Sequence, residues 1–446
     1  MGDEIISQDM NGGAPCTLST VASARQPSQL RTLAPYLSIP EVVWLAGGLP
    51  PGDVFPFKKV TLTTTDGEEI VVDNPDLLYR LQQYTIEAPG YSPLRSWLKD
   101  HTRELHNPPN SKWDVVVTCG NFDATAKVFE ALLSPGDVIL VEDPSFPQSC
   151  STLKPLAASG VKVVPVTLGS HGHIEAESLR AVAQEVKARY GVGPKLVYVI
   201  TNGQNPTGTS MPKAVIQEIY DVCRAENMMI LEDDPYFYLQ LPGSEEAEGA
   251  GLDLGHVGSF LSVDTDCRVV RLDSFSKFLA PGLRIGWVTC ADPVHSALVY
   301  STQQTTQGAS SCSTAVLAME LLRQWGRTGL DRHLRRLQRQ YGRKARAAAA
   351  AAERHLAGLA SWAAPSCGMF MWLTAEGVGD TRDLMPELVE QKVVLVPGSF
   401  FYLDEGASSS FRLCFASASE EDLEEGVRRL GNVLRKVSAT GGPQHT

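Results

Sequence analysis

Between about residues 114 and 290, short β-branched runs alternate with stretches whose apolar residues recur at helical spacing. The runs are DVVVT (114–118), DVILVED (137–143), VKVVPV (161–166), KLVYVI (195–200), MMILEDD (228–234), RVVRLD (268–273) and RIGWVT (284–289). Short apolar strands separated by helical patterns predict an α/β fold, with a mainly parallel seven-stranded sheet flanked by helices. Ligands of such sheets bind beyond the carboxyl ends of the strands, so the residues after each run are the ones to read for chemistry.

Outside this region the pattern changes. Residues 1 to about 20 are polar and are expected to be mobile. From about 21 to 110, turns, a short helix or two and the Pro/Gly-rich WLAGGLPPGDVFPF predict an extended arm. After about 310 comes a long helical region that includes RKARAAAAAAERHLAG (343–358), an ordinary helix by propensity. GMFMWL (368–373), VVLVPGSFF (393–401) and SFRLCFAS (410–417), followed by a helix of mixed charge, predict a smaller α+β domain. The expected division is an amino-terminal arm (1–60) that contributes to the site and to the small domain, a large domain (61–330) and a small carboxyl-terminal domain (331–446).

Charge narrows the partners. The 446 residues carry 39 Lys and Arg against 51 Asp and Glu, a net charge of −12, which disfavours nucleic acid and anionic membrane as partners. The nine cysteines are scattered and never spaced CxxC, so reduced thiols are expected. The amino terminus MGDEIISQDM is acidic where a signal peptide is basic, and no apolar run approaches the ~18 residues of a membrane span, so the expected location is the cytoplasm. HGH (171–173) is a metal-like pair without a third ligand, and neither a Walker loop nor a GxGxxG after a strand is present; no metal or nucleotide is expected.

The strand ends carry the chemistry. TCGNFDATAKVFEAL (118–132) places a Gly-Asn turn and a helix after a strand, so its first amides can hold an anion. TNGQNPTG (201–208) sets Asn205 at a turn, EDDPYFYL (232–239) sets Tyr236 three residues after Asp233, and DSFSK (273–277) ends a strand in hydroxyls and Lys277, with Arg284 following. Taken singly, these read as a turn former, a helix cap, a solvated charge and a surface lysine. Together they meet one requirement: an amine for a Schiff base, a carboxylate for a pyridine nitrogen, a phenol and an amide for a ring oxygen, and hydroxyls with arginine for a phosphate. That is the requirement of pyridoxal 5′-phosphate, with Asp233 as the candidate that keeps the ring nitrogen protonated.

TNGQNPTGTS, EDDPYFYLQ, DSFSKFLAPGLRIGW and VVLVPGSFF resemble the fungal aromatic-amino-acid aminotransferases and the related kynurenine/2-aminoadipate aminotransferases, in consistent order from about residue 20 to 435. The resemblance implies a fold-type I, pyridoxal-phosphate-dependent transferase of class I/II. It implies that Lys277 forms the Schiff base and shuttles the substrate proton, that Asp233 pairs the pyridine nitrogen, and that Tyr236 and Asn205 hydrogen-bond the ring oxygen. Ser274, Ser276 and Arg284 are implied to hold the phosphate, together with backbone amides and the side chain near Asn121. Phe146 matches the ring that stacks on the pyridine, where many relatives have tyrosine, and Phe122 and Asp123 depart from the serine-glutamine pattern of the kynurenine enzymes. Arg412, in SFRLCF, matches the arginine that grips the substrate α-carboxylate, a task suited to a guanidinium fork. Tyr84 matches a tyrosine that reaches the neighbouring subunit's phosphate, which implies a homodimer with shared active sites. Arg31 and the Gly47-Gly48 pair match a segment lying over the substrate, where Arg31 would meet a second carboxylate.

The leading expectation is a ping-pong aminotransferase that moves nitrogen between tryptophan, phenylalanine or tyrosine and a 2-oxo acid such as phenylpyruvate or 2-oxoglutarate, with Lys277 as acid and base. Kynurenine and 2-aminoadipate are alternative donors. A β-elimination lyase of secondary metabolism, for example one cleaving C–S bonds, uses the same groups. A non-catalytic regulator would carry an amino-terminal helix-turn-helix, and the acidic start of this chain offers neither the length nor the charge for one.

Overall fold

Each of the seven apolar runs forms a strand of one sheet. In the computed structural model the described residues are 15–440, apart from 28, 30–31, 34–35, 37–38, 44, 47, 86, 242–253, 255–256 and 307–311. A hairpin of β1 (Val60–Thr63) and β2 (Glu69–Val72) comes first. The seven strands that follow are β3 (Trp113–Thr118), β4 (Val138–Asp143), β5 (Lys162–Thr167), β6 (Leu196–Val199), β7 (Met229–Asp233), β8 (Val269–Ser274) and β9 (Gly286–Ala291). Their order across the sheet is β3-β9-β8-β7-β6-β4-β5. Only β9 runs against its neighbours, so the sheet is mainly parallel.

The strands are mainly apolar because helices cover both faces: β6, β7, β8 and β9 are buried at every position. Edge strand β5 is the exception, and it carries Pro165, which an edge tolerates because a ladder hydrogen bond is missing on one side. The carboxyl ends of β3, β4, β6, β7 and β8 lie along one edge of the sheet. Asn121, Phe146, Asn205, Asp233 and Lys277 follow or end those five strands.

Strand β7 ends in Glu232 and Asp233, with Asp234 next in the chain, and their side chains alternate between faces. Glu232 and Asp234 meet Arg271 of β8, which is fully buried and bonds Glu232 at 2.9 Å, Asp234 at 3.0 Å and Asp273 at 2.8 Å. Burial pushes the Asp234 carboxyl up to about 8 against the pull of Arg271. Asp233 is left on the opposite face. Arg271→Met should therefore strip the cation from three buried carboxylates and lower unfolding stability by about 3 kcal/mol, read as a shift of the denaturation midpoint at constant slope.

A second, antiparallel sheet has the order β10-β11-β13-β12, built from β10 (Ala360–Trp362), β11 (Phe370–Ala375), β12 (Val396–Pro397) and β13 (Ser410–Cys414). Helix Cys312–Leu356 is broken at Gly326 (φ 54°) and carries the chain from one core to the other. Ala315, Val316 and Met319 pack with Trp287 and Val117, whereas Ala345, Ala348, Ala351 and Ala352 pack with Phe411 and helix Glu420–Thr440. The six-alanine run is thus a close-packing face.

Two expectations for the beginning of the chain need correction. Residues 1–14 lie outside the described residues, but Ser19 is fully buried, caps helix Thr20–Ala24 through Ala22 and donates its backbone N–H to Ala131, so residues near 20 are tied to the large core. Residues 60–106 are also more regular than an extended arm: they hold the hairpin and helices Pro75–Gln82 and Ser92–His106. The hairpin is hard to read because β1 is almost wholly exposed and offers no apolar run.

Candidate active site

The strand ends enclose a cavity of about 190 Å³. Its wall includes Lys277, Asp233, Tyr236, Asn205, Asn121, Phe146, Ser274, Ser276 and Arg284, nine of the residues singled out from sequence. Lys277 is half-buried on the turn after β8, with Nζ 5.9 Å from the centre of the Tyr236 ring. Burial lowers its amine below the ordinary lysine range, and the Arg412 and Arg284 cations act in the same direction. A larger share of the free base results.

Asp233 is nearly inaccessible to solvent. Burial pushes its carboxyl up, while hydrogen bonds from Asn121 and Tyr198 pull it back. Asn121 Nδ2 donates to Oδ1 at 2.8 Å and the Tyr198 hydroxyl donates to Oδ2 at 2.8 Å. The Asn121 side chain thus stands on Asp233 from the first residue of helix Asn121–Leu132, at the cavity wall. Tyr236 is buried, and desolvation raises its phenol well above the ordinary range although neighbouring Asn205 and Arg412 lower it.

An anion cradle forms on the other side. Arg284 adopts a left-handed backbone (φ 53°) at the end of the Pro-Gly turn, a conformation uncommon for a side-chain-bearing residue. The turn brings Arg284 Nη1 to 3.4 Å from Ser276 Oγ and Nη2 to 2.8 Å from the Cys119 carbonyl, which accepts. Gly120 (φ 88°) has to be glycine here, since a Cβ would stand 2.3 Å from Arg284 Nη2. It also precedes a helix whose first amides have no side-chain cap, an arrangement that favours an anion.

Arg412 does not line this cavity but faces it from the small sheet. Its Nη1 donates to Asn205 Oδ1 at 2.8 Å, and its guanidinium lies 4.2 Å and 4.9 Å from the Phe370 and Phe401 ring centres. Its Nε is buried and unpaired among the described residues. Two expected contributors stand away: Tyr84 is 57% exposed and Gly48 has open space around it, and neither reaches the cavity wall. Arg31 and Gly47 lie outside the described residues. Tyr198, Ser149 and Thr125 complete the site without having been marked by any motif.

The donor set fits pyridoxal phosphate: one amine, one buried carboxylate, a phenol beside an amide, and a guanidinium with hydroxyls at a helix start. Asn121 Oδ1 and Arg412 Nε are buried polar atoms without partners among the described residues. Among those residues no group of three or more His, Cys, Asp and Glu side chains is placed to hold a metal, and no helix is long and apolar enough to cross a membrane.

Comparison with known proteins leads to the same chemistry. The family model for aminotransferases of class I and II matches residues 89–430. The mitochondrial kynurenine/alpha-aminoadipate aminotransferase of Mus musculus is 35% identical over 435 residues, which cover 94% of this chain and 98% of the relative. An aromatic amino acid aminotransferase of Schizosaccharomyces pombe is 29% identical over 463 residues, covering 94% and 97%. The crystal structure of aminotransferase Aro8 from Candida albicans matches with a TM-score of 0.82 at 31% identity, over 94% of this chain and 97% of that one. With the lysine, the buried aspartate and the anion cradle converging at one sheet edge, the chain belongs to the class I and II aminotransferases and works with pyridoxal phosphate.

Proposed function

We propose that the enzyme takes the amino group of an aromatic L-amino acid, phenylalanine, tyrosine or tryptophan, and passes it to a 2-oxo acid such as phenylpyruvate or 2-oxoglutarate. The observation that carries this reading is the Arg412 guanidinium, set against two phenylalanine rings and bonded to Asn205 on the rim of the lysine cavity. It offers a carboxylate fork in a surround of aromatic rings, to which Trp372 adds an edge contact with Phe401. The names of the yeast and mouse relatives support aromatic donors and, as the nearest alternative, kynurenine and 2-aminoadipate.

Bound pyridoxal phosphate supplies an aldehyde and an electron-withdrawing ring. The residues around it have separate tasks in this proposal. Asp233 pairs the ring nitrogen, Asn205 and Tyr236 hold the ring oxygen, and Phe146 stacks on the ring face. Ser274, Ser276, Arg284 and the helix start after Gly120 hold the phosphate. Arg412 fixes the substrate carboxylate, which turns Cα toward Lys277, and Lys277 Nζ takes the Cα proton and returns it. Tyr84, exposed on its own subunit, reaches across a homodimer to the neighbouring phosphate.

A matrix of donors and acceptors tests the substrate assignment. Phenylalanine, tyrosine, tryptophan, kynurenine and 2-aminoadipate are each paired with 2-oxoglutarate, and all but phenylalanine also with phenylpyruvate, and each 2-oxo acid product is followed. The aromatic donors should give the highest kcat/KM; 2-aminoadipate ahead of all three by about tenfold, 1.4 kcal/mol in transition-state binding, would overturn it.

A further inference from the structure

Behind the cavity stands a side chain to which the proposed function gives no task. Tyr198 lies on β6 and is fully buried. It pairs with Leu231, two residues before Asp233 on the same face of the sheet, so its ring runs beneath the Asp233 carboxylate. Its hydroxyl is 2.8 Å from Asp233 Oδ2 and 2.9 Å from Ser149 Oγ. A phenol has a single proton, and an ionised carboxylate can only accept. The proton of Tyr198 is therefore committed to Asp233, and Ser149, from the helix Pro147–Ala158 at the cavity wall, donates to Tyr198.

We propose that Tyr198, backed by Ser149, is a positioning residue that holds Asp233 ionised and aimed, so that Asp233 keeps the pyridine nitrogen of bound pyridoxal phosphate protonated. With Asn121 on Oδ1 and Tyr198 on Oδ2, each carboxylate oxygen has one neutral donor, and Asp233 still lines the cavity. The other charges near Asp233 do not do this work alone. Arg271 favours its ionised form, while the carboxyls of Glu142 and Asp273, on the other face of the sheet, and the phenol of Tyr236 interact with it unfavourably when charged. Burial, and then Asp233 itself, pushes the Tyr198 phenol well above its ordinary range, so it remains a donor throughout the working range.

Removing one hydrogen bond to a buried charge corresponds to a change of about tenfold or more in the proton balance between Asp233 and the ring nitrogen. The inference rests on the proposed role of Asp233, and the test separates the two. Wild type, Tyr198→Phe and Ser149→Ala are loaded with pyridoxal phosphate carrying 15N in the ring, and the nitrogen resonance is recorded at neutral pH alongside the equilibrium affinity of each apoenzyme for the cofactor. Wild type should show the pyridinium position. Tyr198→Phe should move the resonance toward neutral pyridine, bind the cofactor about tenfold more weakly and lose kcat with donor KM within about twofold. Ser149→Ala should move the resonance in the same direction by less, and it keeps the proposal testable should Tyr198→Phe fold poorly. A wild-type resonance at the neutral position would overturn the Asp233 role and the proposal with it. Pyridinium in wild type and unchanged resonance and affinity in both variants would overturn the Tyr198 role alone.

Discussion

Lys277→Ala should reduce transamination by at least about 10⁴-fold and leave no protein-bound cofactor after borohydride reduction. The size of the effect follows from the cavity. Lys277 is the one amine among the residues of its wall, so nothing else there can form the Schiff base with the cofactor. It is also prepared for the task, since burial and two arginine cations lower the amine and favour the free base. The fold should survive the change. Lys277 lies on a turn outside the strands, and it contributes no ion pair to the described network. Turnover and the reduced, labelled protein are the two readouts, and retained turnover would remove Lys277 from the chemistry.

Arg412→Ala should lower kcat/KM by about a hundredfold or more for every amino donor, mainly through KM. A charge-assisted pair is lost entirely on truncation, and the two rings that lie against the guanidinium offer a carboxylate nothing. Asn205 Oδ1 loses its Arg412 donor at the same time, so the loss spreads to the ring-oxygen contacts. All donors share the α-carboxylate. Steady-state kinetics with phenylalanine, tyrosine and tryptophan should therefore show equal proportional losses, and a loss confined to one donor would assign Arg412 to the side-chain pocket instead.

The seven strands are legible because helices bury both faces of the sheet, and full burial requires uninterrupted apolar runs. The site is legible for a related reason. Its main residues lie just beyond those runs, where polar side chains stand out against the pattern. Tyr198 is hidden by the same logic: inside KLVYVI a tyrosine reads as a good strand former, and only the register with β7 shows that its hydroxyl meets Asp233. The bond from Asn121 to Asp233 is equally invisible, since it joins residues 112 positions apart. Arg271 and Asp273 precede the lysine motif as ordinary charges until β7 and β8 are paired, when Arg271 closes on Glu232 and Asp234 as well as on Asp273. The hairpin β1–β2 is hidden for the opposite reason, because it is too exposed to leave an apolar signature.

The central claim is that the enzyme transfers nitrogen to its cofactor instead of eliminating a group from the substrate, and a single-turnover experiment addresses it most directly. The loaded enzyme is mixed with excess phenylalanine or tryptophan without any acceptor, and 2-oxo acid and ammonia are measured per active site. Transamination by Lys277 and Arg412 predicts one equivalent of the matching 2-oxo acid, no ammonia, and resumed turnover when 2-oxoglutarate is added. Continuous release of ammonia with pyruvate from tryptophan, with no acceptor present, would contradict it.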